Sequence, residues 1–405
     1  MKSLKKIAVI AALAVALTGC STTASDGSKG ASDKNPFTVL WISGVTGALA
    51  SNTKTSVEGA QIAIDEINAS GGILGRKVTL EVLDDKSDPT EAVSVLQKRL
   101  VSGDKPDLVS LGSSSPEALA MLPVVTRAGI ASFAVGGADQ LNDPKAYPLF
   151  KTVSSGFTPG ADLIKKYVLK KKYKHLVVFI QQDAAGDSEL ASTKKAYEGT
   201  GVTVEEARYN AADVDLSVAY QRAIQNKPDA IYAACIGATC PRVVTARGSV
   251  AGGTDIPMIG SIAMSGAPGG LAAGLAPDLI KNLFAVSYVS QVDEPSAQSS
   301  SFPAFYKKLL KYGTPPIMSN PTTAYDGIKL FAAAAKHAKS TDAAKMIAAI
   351  DDNKWKPGDF VSWGKATLDY TAQSTFPTLS DGALVMFEIS PQKDGLYPPL
   401  NVYVP

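Results

Sequence analysis

The chain has 405 residues, 45% of them apolar, with 40 lysines and arginines against 38 aspartates and glutamates. That length is more than one hydrophobic core organises and suits two domains, while the apolar share excludes a disordered chain. The near balance of charge leaves no basic excess to hold a phosphate backbone, so nucleic acid is not an expected partner.

The first residues carry Lys2, Lys5 and Lys6, then an apolar run over 7–17, then Leu17-Thr18-Gly19-Cys20. Residues 1–19 therefore read as a secretory signal peptide. The run falls short of the roughly 20 apolar residues that a spanning helix needs. The Leu-Thr-Gly-Cys ending resembles the bacterial lipobox. That resemblance implies cleavage before Cys20, lipidation of its thiol, and an exported protein anchored to the outer face of the cytoplasmic membrane. Residues 20–36, mostly Ser, Thr, Gly, Ala and Lys, read as a flexible tether. With Cys20 lipidated, Cys235 and Cys240 remain in a compartment where disulfides persist, and they are expected to pair. Two buried free thiols are the alternative.

Beyond the tether, short apolar strands alternate with amphipathic helices. Strands are expected over 38–43, 77–83, 107–111 and 130–135, each followed by a helix, and 150–153 ends the first series. A second series starts with a helix over 159–171 and continues with strands over 175–180, 202–208, 230–234, 257–260 and 283–288. Such alternation argues for parallel sheets covered on both faces. Two such runs give an α/β fold of two doubly wound lobes. Helices over 302–312, 319–339 and 343–350 follow, then an irregular stretch over 355–376 and a last pair of strands over 383–389 and 400–404.

The most telling passage is 62–89. Val57, Ala60, Ile64 and Ile67 form one apolar stripe on a helix from about 56 to 69. Gly71 and Gly72 stop it, since glycine takes the left-handed C-terminal conformation freely. Val78, Leu80 and Val82 alternate as a strand, and Asp84, Asp85 and Asp88-Pro89 open a helix over 90–101. The run Ile67-Asn68-Ala69-Ser70-Gly71-Gly72-Ile73-Leu74-Gly75, followed by Asp84-Asp85-Lys86-Ser87-Asp88-Pro89, resembles the leucine/isoleucine/valine-binding family of extracytoplasmic solute-binding proteins. The order of elements continues the resemblance over nearly all of the chain after the leader. It implies a type I periplasmic binding fold whose chain crosses between lobes three times, near 154–157, near 288–292 and between 363 and 376. The first lobe would then hold 37–155 and 289–363, the second 156–288 and 364–405. It also implies a monomer that binds a small molecule and hands it to the permease and ATPase subunits of an ABC importer.

No stretch has the spacing of a serine-hydrolase elbow, a phosphate loop or a zinc-protease helix. The aspartates at 84, 85 and 88 lack the glycine and terminal glutamate of a calcium loop. No catalytic residue, metal or cofactor is expected, and the chain reads as a binding protein rather than an enzyme. What stands out is a set of small-residue loops past the carboxyl ends of strands, the edge where open α/β sheets bind ligands. The first is 44–52, ending at Asn52. The second is Gly112-Ser113-Ser114-Ser115-Pro116, with Ser115 as a helix N-cap and free amides for an acceptor oxygen. The third holds Gly136 and Gly137, whose amides approach a ligand closely. In the resembled family these places contact the ligand's carboxylate.

The second lobe faces them with loops over 181–188, 235–240 and 260–266. Branched-chain amino-acid binders of the family place tyrosines in the first two and a glutamate in the third, to hold an ammonium. The matching residues here are Ala185, Ile236, and Ile262 or Ala263. That departure favours a small, largely apolar molecule with a carboxylate or comparable oxygen over an α-amino acid, although Asp183 or Asp187 remain within reach of an ammonium. Phe157 and Trp41 are candidates for an aromatic wall, with a core role open for Trp41. Alternative readings are a ligand sensor of the same fold, an amino-acid-binding importer component, and an exported hydrolase.

Overall fold

The computed structural model describes residues 35–266, 277–356 and 358–399. The leader, Cys20, the tether up to residue 34 and the expected strand over 400–404 lie outside the described residues. Among the described residues no helix is long and apolar enough to cross a membrane.

The first apolar runs form β1 (Phe37–Ser43), β2 (Val78–Asp84), β3 (Leu108–Leu111), β4 (Ala131–Ala134) and β5 (Phe150–Thr152). They join as one parallel sheet in the order β2-β1-β3-β4-β5. Along β1, Val39 and Trp41 enter one core while Leu40 and Ile42 enter another, so both faces are covered. That is why the strand reads as a continuous apolar run and not an alternating one. The helices between are α1 (Ala50–Ala69), α2 (Pro89–Ser102) and α3 (Ser115–Ala128). Asp88 caps α2 by accepting the amides of Thr90 and Glu91. Gly71 and Gly72 end the α1 turn at φ of 90° and 77°.

The second run repeats the plan. It comprises α4 (Thr158–Lys170), β6 (His175–Gln181), α5 (Ala184–Ala196), β7 (Thr203–Tyr209), α6 (Ser217–Ile224), β8 (Ala230–Ala233), α7 (Thr239–Ser249), β9 (Met258–Gly260), α8 (Pro277–Ile280) and β10 (Leu283–Tyr288). The order β7-β6-β8-β9-β10 matches that of the first sheet, and β13 (Leu384–Glu388) adds an antiparallel edge to β10. The fold is thus α/β with two doubly wound lobes.

After β10 the chain returns to the first sheet with α9 (Phe302–Leu309), α10 (Ser319–Ala338) and α11 (Ala343–Asp352). Helix α10 lies along α1. Gly59 permits it: a Cβ there would overlap the Pro321 carbonyl. The pair is also tied by the Tyr325 hydroxyl, which donates to Glu66 at 2.6 Å.

Two expectations about this half are corrected. Helix α1 begins at Ala50, not near 56, so Asn52 sits in its first turn and not in a loop. The stretch expected to be irregular contains a hairpin, β11 (Leu368–Thr371) and β12 (Ser374–Leu379). That hairpin is bonded to the first sheet. Lys151 of β5 donates to the carbonyls of Thr371 and Ser374 at 2.9 and 3.0 Å and pairs with Asp351 at 2.5 Å. Tyr370 donates to the Thr152 carbonyl at 2.7 Å, and Thr375 to that of Leu141 at 2.8 Å. The third crossing therefore follows Leu379 rather than falling between 363 and 376, and residues 368–379 pack on the first sheet rather than the second.

Candidate functional site

In a sheet of order 2-1-3-4-5 the strand order reverses between the first and third strands, and the loops there splay apart into a crevice. In the first sheet that point lies past β1 and β3; in the second, past β6 and β8. The structure turns the two crevices toward each other. A Cβ built on Gly237, in the loop after β8, would stand 2.7 Å from the Ala48 carbonyl and 3.1 Å from Leu49 Cδ2, both in the loop after β1. A second contact joins the lobes where the Asp139 amide donates to the Ser188 hydroxyl oxygen at 3.1 Å. That hydroxyl lies 2.9 Å from Gln140 Oε1, to which it donates. The lobes are thus closed upon one another at two places.

The first lobe's wall is rich in hydroxyls. Ser113 is buried, with its oxygen 2.6 Å from Ser43 Oγ and 3.5 Å from Thr53 Oγ1, and Ser43 lies 2.8 Å from Thr53. Ser114, not Ser115, is the N-cap of α3, because it forms a capping box with Glu117. The Ser113 and Ser114 amides donate to Glu117 Oε2 at 2.8 and 3.1 Å. Ser115 Oγ accepts the amides of Gly137 and Ala138, both at 3.1 Å. The amides expected to be free for a ligand at Ser113, Ser114 and Gly137 are therefore already bonded within the lobe. What the wall keeps is hydroxyl hydrogens. That of Ser115 is strengthened as a donor, because its oxygen accepts two bonds.

Gly136 is buried next to Ser115, and Gly137 lies under the Phe157 ring, which a Cβ at 137 would meet at 3.0 Å. Phe157 is half-buried at the start of α4 and lines a groove of about 600 Å³ with Asp139, Asn142, Phe376 and Leu384. Trp41 is 1% exposed and packs edge-on against Phe133, so it belongs to the core and not to an aromatic wall. Asn52 is half-buried, and its carbonyl accepts the Thr55 hydroxyl at 3.1 Å.

The second lobe presents Ala185 in the first turn of α5, Ile236 after β8, and Ile262 and Ala263 in a single 3₁₀ turn, all half-buried. The two aspartates kept open for an ammonium are committed elsewhere. Asp183 caps α5, accepting the Gly186 amide at 2.8 Å and Gln181 Nε2 at 2.6 Å. Asp187 is exposed and pairs with Arg208 at 2.7 Å. Cys235 and Cys240 are bridged, which shapes the loop that carries Ile236 and Gly237.

Buried acids escaped the sequence reading. Glu117 is 1% exposed, and burial, with Asp85 nearby as the next cause, pushes its carboxyl up to about 7. Glu189 of α5 is bonded by the Tyr232 hydroxyl, and burial pushes it too up to about 7. The signal for Glu117 was present, since Ser114-Ser115-Pro116-Glu117 has capping-box spacing. Among the described residues no cluster of three or more metal-ligating side chains forms.

Known proteins share this architecture. Over 199 residues the chain is 30% identical to a Leu/Ile/Val-binding protein of Rhizobium johnstonii, which covers 48% of this chain and 53% of that one. Over 365 residues it is 26% identical to a Leu/Ile/Val-binding protein homolog of Brucella abortus, covering 84% and 87%. The solute-binding protein of an ABC transporter from R. palustris, solved in complex with benzoate, superposes with a TM-score of 0.75 at 20% identity, over 92% of this chain and 97% of that one. Residues 36–373 match the family model described as periplasmic binding protein. Two repeated lobes closed at their switch points and a match across most of the chain agree: the protein belongs to the periplasmic binding protein family, whose members bind solutes rather than transform them.

Proposed function

We propose that the protein captures a small, largely apolar molecule bearing a carboxylate or comparable acceptor oxygen, and delivers it to an ABC importer. The observation that carries this reading is the asymmetry of the two walls. The first lobe offers the hydroxyls of Ser113, Ser114 and Ser115, whereas the second offers Ala185, Ile236 and Ile262 and no uncommitted carboxylate among Asp183 and Asp187. An ammonium buried there without a partner would be rejected, because desolvating it costs several kcal/mol. Phe157 and Gly137 would receive an aromatic or aliphatic body, with Asn52 and Gly136 at its margin. The benzoate-bound R. palustris relative supports this class of ligand. Leucine, isoleucine or valine is the second reading, favoured by the names of the Rhizobium and Brucella relatives.

In mechanism, a first lobe of residues 37–155 and 289–379 grips the ligand, and a second of 156–288 and 380–399 closes by hinge motion. Closure is favoured only by a ligand that binds the shut state better than the open one. The protein acts as a monomer, held to the outer face of the cytoplasmic membrane through lipidated Cys20, and docks on permease and ATPase partners. A thermal-shift screen of small carboxylates tests the ligand class. A binder at a hundred times its Kd adds about 2.7 kcal/mol of stability. Leucine, valine and phenylalanine are run beside their deaminated acids. Tight binding of the amino acid with its deaminated acid ignored overturns the proposal. Cys20→Ala, which is expected to release the protein or leave it unprocessed, tests the anchor separately.

A further inference from the structure

Three hydroxyls from three separate elements meet behind the first lobe's wall. Ser43 ends β1, Thr53 closes the first turn of α1, and Ser113 follows Gly112 in the loop after β3. They are 0%, 2% and 8% exposed, so Ser113 is the least enclosed of the three. Ser43 Oγ lies 2.8 Å from Thr53 Oγ1 and 2.6 Å from Ser113 Oγ, whereas Thr53 and Ser113 stand 3.5 Å apart. An O–H···O bond is normally about 2.7–2.8 Å long, so two of these contacts are full bonds and the third is at the limit.

No other acceptor competes for the hydrogens. A helical threonine can return its hydroxyl hydrogen to a carbonyl three or four residues back, as Thr55 does to Asn52, Thr322 to Met318 and Thr323 to Ser319. Thr53 does not. Among the described residues no carbonyl or carboxylate accepts a hydrogen from Thr53, Ser43 or Ser113. Three hydrogens therefore serve two full bonds, and one is left over. If both neighbours donated to Ser43, its own hydrogen would be stranded at the most buried point. Run inward, from Ser113 through Ser43 to Thr53, the row strands its last hydrogen inside α1, where an unmet donor is costly. Run outward, from Thr53 through Ser43 to Ser113, it delivers that hydrogen to the wall of the cleft.

We propose that Thr53 and Ser43 are positioning residues that turn the Ser113 hydroxyl hydrogen out into the cleft, onto an acceptor oxygen of the ligand. Each hydroxyl that accepts a bond becomes the better donor of the next, so the row ends in a donor stronger than a lone serine. Ser115, whose oxygen accepts two amides, is primed in the same sense. The group this wall selects accepts and does not donate: an ionised carboxylate in preference to an alcohol or an amine, which bring hydrogens of their own. This role rests on the reading that the ligand carries a carboxylate or comparable oxygen, and it names the side chains that set the preference for one.

Calorimetric titration with benzoate compares wild type, Thr53→Val, Thr53→Ser and Ser43→Ala, each with Ser113 intact and with Ser113→Ala. Ser43→Ala cuts the row at its middle and should weaken benzoate about fivefold, the worth of one hydrogen bond. Thr53→Val keeps the shape and removes only the first donor, for a loss of about two- to threefold. Thr53→Ser restores the hydroxyl and with it the affinity. The deciding readout is the double-mutant cycle. Once Ser113→Ala has removed the end of the row, Thr53→Val and Ser43→Ala should change the affinity no further, while Ser114 and Ser115 keep the remaining binding measurable. Residues that merely brace the wall would lower affinity by the same factor with or without the Ser113 hydroxyl. That result, or undiminished affinity in Ser43→Ala, overturns the proposal. Should Ser43→Ala fail to fold, the two Thr53 variants carry the cycle alone. Leucine is titrated beside benzoate. Tight binding of leucine with benzoate ignored sinks the reading of a ligand without an amine, while the same cycle on leucine's carboxylate upholds the row. Benzoate bound equally well by every variant leaves that reading and sinks the row. A wild type that binds neither probe, nor any carboxylate of the thermal-shift screen, overturns both.

Discussion

Gly237→Ala separates lobe closure from fold stability. The residue has φ of +52°, and its added Cβ would stand 2.7 Å from the Ala48 carbonyl across the cleft. An ordinary contact needs about 3.4 Å, so the shut state must open by roughly 0.7 Å at this point or push the loop aside, an overpacking that costs about 1–3 kcal/mol. The left-handed backbone adds about 1–2 kcal/mol, but it does so in open and shut states alike. Only the first cost enters binding. A midpoint of about 2 kcal/mol weakens the affinity for the tightest carboxylate of the screen about thirtyfold. Calorimetry measures that loss, and urea unfolding of the unliganded protein measures the backbone cost alone. X-ray scattering of the liganded variant should give a larger radius of gyration than liganded wild type. Affinity within twofold of wild type, alongside the expected loss of stability, would show that Gly237 and Ala48 do not meet in the bound state and would refute the closure geometry.

Ser188→Ala removes the oxygen that accepts the Asp139 amide between the lobes, and should weaken the same ligand about fivefold, near 1 kcal/mol, with little change in urea midpoint. An unchanged Kd would remove Ser188 from the closing contacts. Lys151→Met strands Asp351 and leaves two carbonyls of the β11–β12 hairpin unbonded, so unfolding in urea should show a loss of about 3–5 kcal/mol. Reduction of the Cys235–Cys240 bridge should cost about 2 kcal/mol, since the loop it closes is short. Alkylation of the unfolded, unreduced protein followed by mass spectrometry should leave both of these cysteines unlabelled.

Much of the fold was legible because both sheets are buried on two faces. Runs such as Leu283–Tyr288 are apolar except for Ser287 and follow the polar Lys281-Asn282 pair, and the strand appears over the residues expected. The hairpin at Leu368–Thr371 and Ser374–Leu379 was hidden for the opposite reason. Its strands are short, Asp369 and Thr371 point outward, Pro377 argues against a strand, and Ala372-Gln373 is no favoured turn pair. The first turn of α1 was missed because Ser51, Asn52 and Thr53 carry no apolar stripe and Leu49 gives no side-chain cap. At the site, loop positions followed from strand ends, but the destination of each amide did not. Whether Ser115 caps a helix or receives the Gly137 amide is decided by a contact between loops twenty residues apart, which no local pattern reports. Likewise a glutamate in a first helical turn reads as dipole compensation, and only packing reveals that Glu117 is enclosed.

The clasp between Gly59 and Pro321 has a consequence for the order in which the molecule assembles. Strands β6 to β10 follow one another without interruption, so the second lobe can condense from a contiguous segment while the rest of the chain is still being made. The first lobe cannot. Its strands are made earliest, yet α10, α11 and the hairpin that cover one face and one edge arrive from beyond Ser319. Contacts of such sequence separation are slow to form, and apolar surface waiting for them is exposed meanwhile. A chain ended at residue 318 should therefore keep the more protease-resistant part in the second lobe, although it lacks β13 and the buried Ile389 and Tyr397 that follow it, and leave the amino-terminal sheet to aggregate or be degraded.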